Sequence, residues 1–229
     1  MKSLFKYYII FLLFSNISNS QTGEITYKVT APNTASTKER VKKTYEEIDL
    51  FSFSLKYNSE KAFFTQNKNV PYNKLNSKIA SILVGSNVEY FQTSLSKKTI
   101  FYLEIDNKPY IVDKSDRMKN WELSNKTKEI DGYTCYKATL IGFNERAQKQ
   151  TLTNAWYTLE IPLPYGPIGY GGLPGLILEL ETSKGFIYTP LSILLNPKTI
   201  KLPTIEEGKK INSKQMRILM RKARKVTDD

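Results

Sequence analysis

Three glutamates have the residue type and spacing for acid–base chemistry. Glu160 precedes a loop rich in proline and glycine, and Glu179 and Glu181 follow it. If the flanking strands pair, two of these carboxylates would form an acid pair of the kind that hydrolyses glycosidic bonds. Glu160 nevertheless has the polar parity of its strand, and Glu179 and Glu181 alternate like a solvent-facing set, which is common in antiparallel sheets. Two interpretations remain, a hydrolase of an envelope polymer and a solvated sheet face.

Cys135 is the single cysteine of a chain that contains no histidine. Lack of histidine excludes a Ser-His-Asp triad, a Cys-His dyad and a histidine zinc site. A lone cysteine excludes an internal disulfide and a multi-cysteine metal site. Because a reactive thiol needs a cationic or histidine neighbour, we interpret Cys135 as a small buried residue, and a disulfide to another protein stays open. We predict no catalytic residue, no metal, no cofactor and no enzyme activity.

A loop dense in proline and glycine is the second candidate site. Nine of the 14 residues from 162 to 175 are proline or glycine, which gives the backbone a defined path. The segment lacks the G-K-[ST] of a phosphate-binding loop, and it leads into a strand rather than into the helix that a dinucleotide-binding loop opens. Two interpretations remain, a shaped turn at a sheet edge and a binding lip.

The candidate binding residues on and beside this loop are aromatic or apolar, namely Trp156, Tyr165, Tyr170 and Leu173. The binding-lip interpretation predicts that Tyr165, Tyr170 and Leu173 are exposed on a rigid loop. Trp156 has the polar parity of its strand, which makes it a better binding candidate than Trp121, interpreted as core.

Alternation of apolar and polar residues predicts the elements that position this loop. The segments that show a strand pattern are 24–30, 51–57, 61–66, 87–95, 98–105, 109–113, 120–124, 132–141, 155–161, 175–182 and 185–194. Short turns between them indicate antiparallel pairing, since parallel strands need long crossover helices. We predict a mainly β fold, an antiparallel curved sheet or open half-barrel with a C-terminal amphipathic helix, and a loop or short helix over 31–47.

Residues 204–229 have the clearest helical pattern. Asn212 and Gln215 have the spacing of a helix cap. One face is apolar and a second is basic, with eight lysines and arginines and no acid over 209–225. Such a helix packs on the sheet, or it lies on a membrane surface as a peripheral contact.

The hexapeptide Gly172-Leu173-Pro174-Gly175-Leu176-Ile177 reads G-L-P-G-L-I. With this motif and the segments 155–162, 130–138 and 23–27, the chain resembles the GLPGLI family of exported proteins of Gram-negative bacteria. The resemblance covers residues 121–182 closely and the rest of the mature chain loosely. It implies a periplasmic or secreted setting and a β-rich fold, but no reaction.

The first twenty residues have the layout of a cleavable signal peptide. Lys2 and Lys6 precede an apolar run over 7–14 that is too short to span a bilayer, and Ser18 and Ser20 place small residues before the cleavage point. The alternative is an N-terminal membrane anchor. The residue directly after the cleavage point is Gln21 and not a cysteine, so we do not expect a lipoprotein. We predict an exported chain, soluble after cleavage, with residues 21–229 as one domain.

Charge and composition limit the classes of partner that the chain could bind. The net charge of +12 is spread along the chain, and no nucleic-acid-binding motif appears. We therefore expect no nucleic acid and predict a non-enzymatic binding module for a lipid or other apolar ligand, or for an envelope protein. The alternatives are the polymer hydrolase and an assembly partner that docks through the proline- and glycine-rich loop. An inner sheet face with room for a ligand would support the ligand version, and a filled interior would oppose it.

Overall fold

The computed structural model describes residues 22–32, 38–144 and 147–226. The predicted signal peptide over residues 1–20 lies outside the described residues. Within them, twelve strands form a single sheet. The strands are β1 (Gly23–Thr30), β2 (Ser52–Tyr57), β3 (Lys61–Gln66), β4 (Tyr90–Thr93), β5 (Lys98–Ile105), β6 (Lys108–Asp113), β7 (Trp121–Ile130), β8 (Tyr133–Asn144), β9 (Lys149–Thr158), β10 (Leu176–Glu181), β11 (Ile187–Leu195) and β12 (Lys209–Asn212).

The sheet is open and almost wholly antiparallel. Its order is β12-β6-β5-β4-β3-β2-β1-β11-β10-β9-β8-β7, and the two end strands do not pair with each other. The predicted mainly β fold with an open, curved sheet and a C-terminal helix is confirmed. One pair departs from the antiparallel pairing that the short turns indicate, since β12, which was not among the predicted strands, pairs with β6 in parallel. The chain between β6 and β12 passes through strands β7 to β11, and this long connection takes the place of a crossover helix.

The inner face of the sheet carries the core because apolar residues meet in register across neighbouring strands. One continuous row crosses seven strands, and every member is buried: Ile25, Leu55, Phe64, Tyr90, Phe101, Val112 and Ile211. Such rows need the alternation that predicted these strands, since a shift of one residue would turn each apolar side chain outward.

Three helices accompany the sheet, α1 (Glu39–Asp49), α2 (Lys74–Val84) and α3 (Ser213–Val226). The loop or short helix predicted over 31–47 is in part the helix α1, which begins at Glu39 and ends at Asp49, and residues 33–37 lie outside the described residues. The sequence patterns above missed α2, although Asn73 caps its first amides and Gly85 ends it in the left-handed region, φ +78°. None of the described helices combines the length and apolar content needed to cross a membrane.

The C-terminal helix α3 has the predicted cap. The Asn212 amide donates to Gln215 Oε1 and the Gln215 amide donates to Asn212 Oδ1, both at 2.9 Å. Its apolar side chains pack against the core from the β6–β12 edge, as the packed-helix interpretation predicts: Met216, Leu219, Met220 and Ala223.

Candidate docking site at the proline- and glycine-rich loop

The loop over residues 162–175 turns inward and covers the inner face of the sheet. Strand β9 ends at Thr158, three residues before the predicted end, and the chain then leaves the sheet plane. The apolar side chains that follow are buried in the core: Ile161, Leu163, Tyr165, Ile168 and Leu173. Together with the aromatic rings of the strands, the loop occupies the space where a ligand was expected.

The exposure predicted for Tyr165 and Leu173 is wrong. Tyr165 is fully buried, with its ring centroid 6.2 Å from that of Tyr57, and Leu173 is 3% exposed. The reason is the curvature of the sheet, which leaves a concave apolar surface that only a nearby apolar segment can shield from water. Tyr170 is half-buried, so the predicted exposure holds for it only in part.

Two buried polar side chains of the sheet bind the loop backbone. The Thr99 hydroxyl donates to the Gly169 carbonyl at 2.8 Å, and the Gln92 amide donates to the Tyr170 carbonyl at 2.9 Å. Gln92 also accepts from the Gly166 amide at 3.4 Å. Because a buried carbonyl without a partner costs free energy, these two polar residues in an apolar surface fix where the loop lies.

A guanidinium group also holds the loop. Arg117 lies 4.8 Å from the centroid of the Tyr170 ring and 5.3 Å from that of Tyr90, and it donates to the Ile168 carbonyl. Burial would lower the pKa of Arg117, but the neighbouring Tyr90 and Tyr170 outweigh it and the pKa is raised. The group therefore remains a cation stacked between two rings.

The glycines of the G-L-P-G-L-I motif allow the loop to approach other parts of the backbone closely. A Cβ atom at Gly172, where φ is +80°, would collide with the carbonyl of Met118, and one at Gly175 would collide with the carbonyl of Thr158. Leu176 and Ile177 begin β10 and are fully buried. The motif is therefore a packing signature that seats the loop, and Pro174 is its exposed residue.

A groove of about 420 Å³ lies where this loop meets the start of β7. Its apolar walls come from Trp121, Leu123, Leu173 and Pro174, and Leu123 is 60% exposed. The remaining side chains that line it include two lysines and no acid: Lys97, Met118, Lys119 and Asn120. A groove that is apolar and basic suits a partner with apolar and acidic groups.

Trp121, and not Trp156, is the tryptophan beside the loop. The interpretation of Trp121 as a core residue is only partly right, because it packs against the core and also lines the groove. The Trp121 indole donates to the Gly171 carbonyl at 2.8 Å, and its ring contacts Tyr170 edge-on at 6.2 Å. Trp156 lies outside this groove, half-buried under Lys128, whose Nζ is 4.5 Å from the ring centroid. Two features of the sequence could have indicated that Trp121 lines a groove. It begins a strand, and its indole N–H needs a hydrogen-bond partner, which an apolar core would not supply.

The three glutamates each have their own partner. Glu179 forms an ion pair with Lys128 at 2.7 Å, and Glu181 accepts from the Asn154 amide at 3.0 Å. Glu160 accepts from the Thr134 backbone at 3.0 Å and lines a cavity of about 50 Å³ that includes neither of the other two.

Cys135 is fully buried, as expected for a structural residue. Burial raises the pKa of its thiol to about 12; Lys128 lowers it, whereas Glu160 and Glu179 raise it further. A thiol of this kind is protonated at neutral pH and a poor nucleophile. Among the described residues, no group of three or more cysteine, aspartate or glutamate side chains is arranged to hold a metal ion.

Comparison with protein families finds one match on the segment that contains the loop. A family model described as "Protein of unknown function (Porph_ging)" matches residues 142–179. The match includes the G-L-P-G-L-I motif, but the GLPGLI family name itself stays a prediction. No curated protein matches the chain.

Two solved structures of PNGF-II have a similar fold. The structure in the C2 space group has a TM-score of 0.56 at 14% identity, and the one in the P21 space group has 0.57 at 15% identity. Each match covers 90% of this chain and 34% of the solved chain, so this chain spans about a third of the length of PNGF-II. At this identity the likeness concerns the fold alone.

Proposed function

We propose that the protein is an exported, non-enzymatic docking module that binds an extended segment of a partner protein in the groove beside the proline- and glycine-rich loop. The observation that carries this proposal is the position of the groove, which lies between a rigidly seated loop and the end strand of the sheet.

The chemistry of the lining supports a partner segment with both apolar and acidic side chains. Trp121, Leu123 and Pro174 offer apolar surface. Thr99 and Gln92 fix the loop that carries Pro174, and the Trp121 indole donates to the Gly171 carbonyl of the same loop. Lys97 and Lys119 line the groove and no acidic residue does, so the groove attracts carboxylates and repels basic segments.

The edge of β7 supports an extended partner. Among the described strands, β7 has a neighbour on one side only, β8, so the backbone groups on its other side are open to pairing. An added strand obtains main-chain hydrogen bonds from such an edge, and pockets for alternate side chains provide specificity. Leu123 belongs both to β7 and to the groove, so one segment would engage both.

Other sites support the two alternatives less well. The interior that an apolar ligand would need is occupied by the loop and by buried rings such as Tyr57 and Phe64. The hydrolase would need two carboxylates in one cleft, whereas Glu179 is held by Lys128 and Glu160 lines a separate small cavity.

Selection of a displayed random peptide library against the purified chain tests the proposal. We expect enriched peptides that alternate apolar and acidic residues, and we expect Leu123→Asp to weaken their binding at least about tenfold, as loss of a central apolar contact does. The matched control is Leu191→Asp on β11, four strands away, where the leucine is 55% exposed against 60% for Leu123.

Thermal unfolding of each variant separates loss of binding from loss of folding. Peptides that bind Leu123→Asp as well as the native chain would overturn the proposal. Equal loss in Leu191→Asp would also overturn it, because binding would then not depend on the groove.

A further inference from the structure

A second recess lies on the outer face of the sheet, on the side away from the core. It has a volume of about 270 Å³. Its floor comes from three neighbouring strands, because Phe91 of β4 is in register with Ile100 of β5, and Ile111 belongs to β6. Phe91 and Ile111 are less than a tenth exposed although they point away from the core. This recess shares no lining residue with the groove beside the loop.

The segment that connects β11 to β12, residues 196–208, crosses this outer face and covers part of the recess. Ile205 lines the recess from that segment, and the Tyr102 hydroxyl donates to the Glu206 carbonyl, which ties the segment to β5. The recess is therefore a slot between a sheet and a strap. A concave, mostly apolar lining with a few charged groups is the usual make-up of a site for a small ligand.

The charged groups of the recess lie at its rim and favour an anion. Lys98 and Lys210 line it together with Asp113. The Asp113 carboxylate already accepts from the Ser115 amide at 2.7 Å. Burial alone would raise the pKa of Asp113, but the hydrogen bonds from Ser115 and the charges of Lys98 and Lys119 hold the pKa below its ordinary value. The two positive charges of the lysines therefore exceed the one negative charge of Asp113, whose carboxylate is already hydrogen-bonded to Ser115.

We propose that this outer recess binds one single-chain amphiphile with an anionic head group, the chain lying on Phe91, Ile100 and Ile111 and the head group held by Lys98 and Lys210. The apolar floor accounts for the chain, since burying methylene groups is favourable. Lys98 and Lys210 are both positively charged, which favours a negatively charged head group. The site is independent of the proposed docking groove and does not need it to be correct.

Titration calorimetry of the purified chain with three ten-carbon probes, each below its micelle concentration, tests the proposal. The probes are decanoate, decyl phosphate and decyltrimethylammonium. We expect saturable binding of one anionic probe per chain, at least about tenfold tighter than the cationic probe. Tighter decanoate would identify a fatty carboxylate as the ligand and tighter decyl phosphate a phosphorylated lipid, and both results support an anionic amphiphile.

Variants at the rim and on the strap localise the binding. We expect Lys98→Gln with Lys210→Gln to weaken the anionic probes about tenfold while the cationic probe is unaffected or improved. Ile205→Asp should weaken them at least as much, because it places a charge in the slot. Its matched control is Ile218→Asp on α3, since the two isoleucines are 44% and 45% exposed and Ile218 lines a different recess.

Binding of the cationic probe as tight as that of the anionic probes would overturn the proposal. So would unchanged affinity in Ile205→Asp, or equal losses in Ile205→Asp and Ile218→Asp, with thermal unfolding confirming that both variants fold. The two tests are independent. Failure of the titrations with the ten-carbon probes would not affect the result of the peptide selection at the groove, and failure of the peptide selection would not affect the titrations.

Discussion

Individual backbone contacts fix the path of the loop at the candidate site. Gly172 and Gly175 allow the loop to approach the carbonyls of Met118 and Thr158, and Gln92 and Thr99 bind the carbonyls that the loop buries. Sequence patterns predicted that this glycine-rich segment has a defined path. They did not predict its direction, because the partners that decide it are distant in sequence.

The change Gly172→Ala separates close contact from backbone strain. We expect it to lower the free energy of unfolding by more than about 3 kcal/mol, since a methyl group collides with backbone and the backbone is left-handed. Gly132→Ala is the matched control, because Gly132 has the same φ of +80° but nothing within 4 Å of the added atom. Its loss should be about 1 kcal/mol, the strain alone. Urea denaturation measures both, and equal losses would contradict the contact.

Reactivity of Cys135 tests burial at a single atom. The thiol is fully buried and its pKa is raised to about 12, so we expect no modification by a thiol reagent in the native chain at pH 8. In denaturant the same reagent should modify one thiol per chain. Rapid modification of the native chain would show that Cys135 is accessible and contradict its structural role.

At the scale of elements, alternation predicted strands well because it is a local consequence of burying one face. β3 and β5 have the expected bounds, and Asp106 and Asn107, both with positive φ, form a short turn between β5 and β6. The parallel pairing of β12 and the helix α2 were not predicted. The first depends on a partner strand distant along the chain, and the second required Asn73 and Gly85 to be recognised as caps.

Arg117 links three elements, namely the turn over 115–118, strand β4 and the loop. We expect Arg117→Gln to lower the free energy of unfolding by about 2 kcal/mol, because it removes two cation–π contacts and a hydrogen bond to the loop. The loop should also become cleavable by a broad-specificity protease under native conditions. Arg40→Gln, at an exposed arginine of α1, is the control and should change neither. Loss of stability without cleavage in residues 162–175 would show that Arg117 does not hold the loop.

At the scale of the whole molecule, the density of buried phenols predicts sensitivity to alkali. Burial raises the pKa of Tyr27, Tyr188 and Tyr165 above the ordinary 10, for Tyr165 to about 12. The unfolded chain releases these protons at lower pH than the folded chain, so rising pH favours unfolding. We expect a constant free energy of unfolding up to about pH 9 and a progressive fall from about pH 10 to 12.

Denaturation at a series of pH values, with phenolate absorbance recorded in parallel, measures this fall. Tyr165→Phe should reduce the alkaline loss of stability, whereas Tyr72→Phe, which removes a phenol from a side chain that is 77% exposed, should leave the profile unchanged. A stability that stays constant to pH 12 would show that the interior does not keep these phenols protonated.

Hydrogen–deuterium exchange of the chain with and without a selected acidic, apolar peptide tests the docking site most directly. We predict that amides of β7, Trp121–Ile130, and of the segment around Pro174 exchange more slowly when the peptide is bound, since an added strand would occupy the free edge of β7. Protection confined to other strands, with β7 unchanged, would contradict docking at this groove.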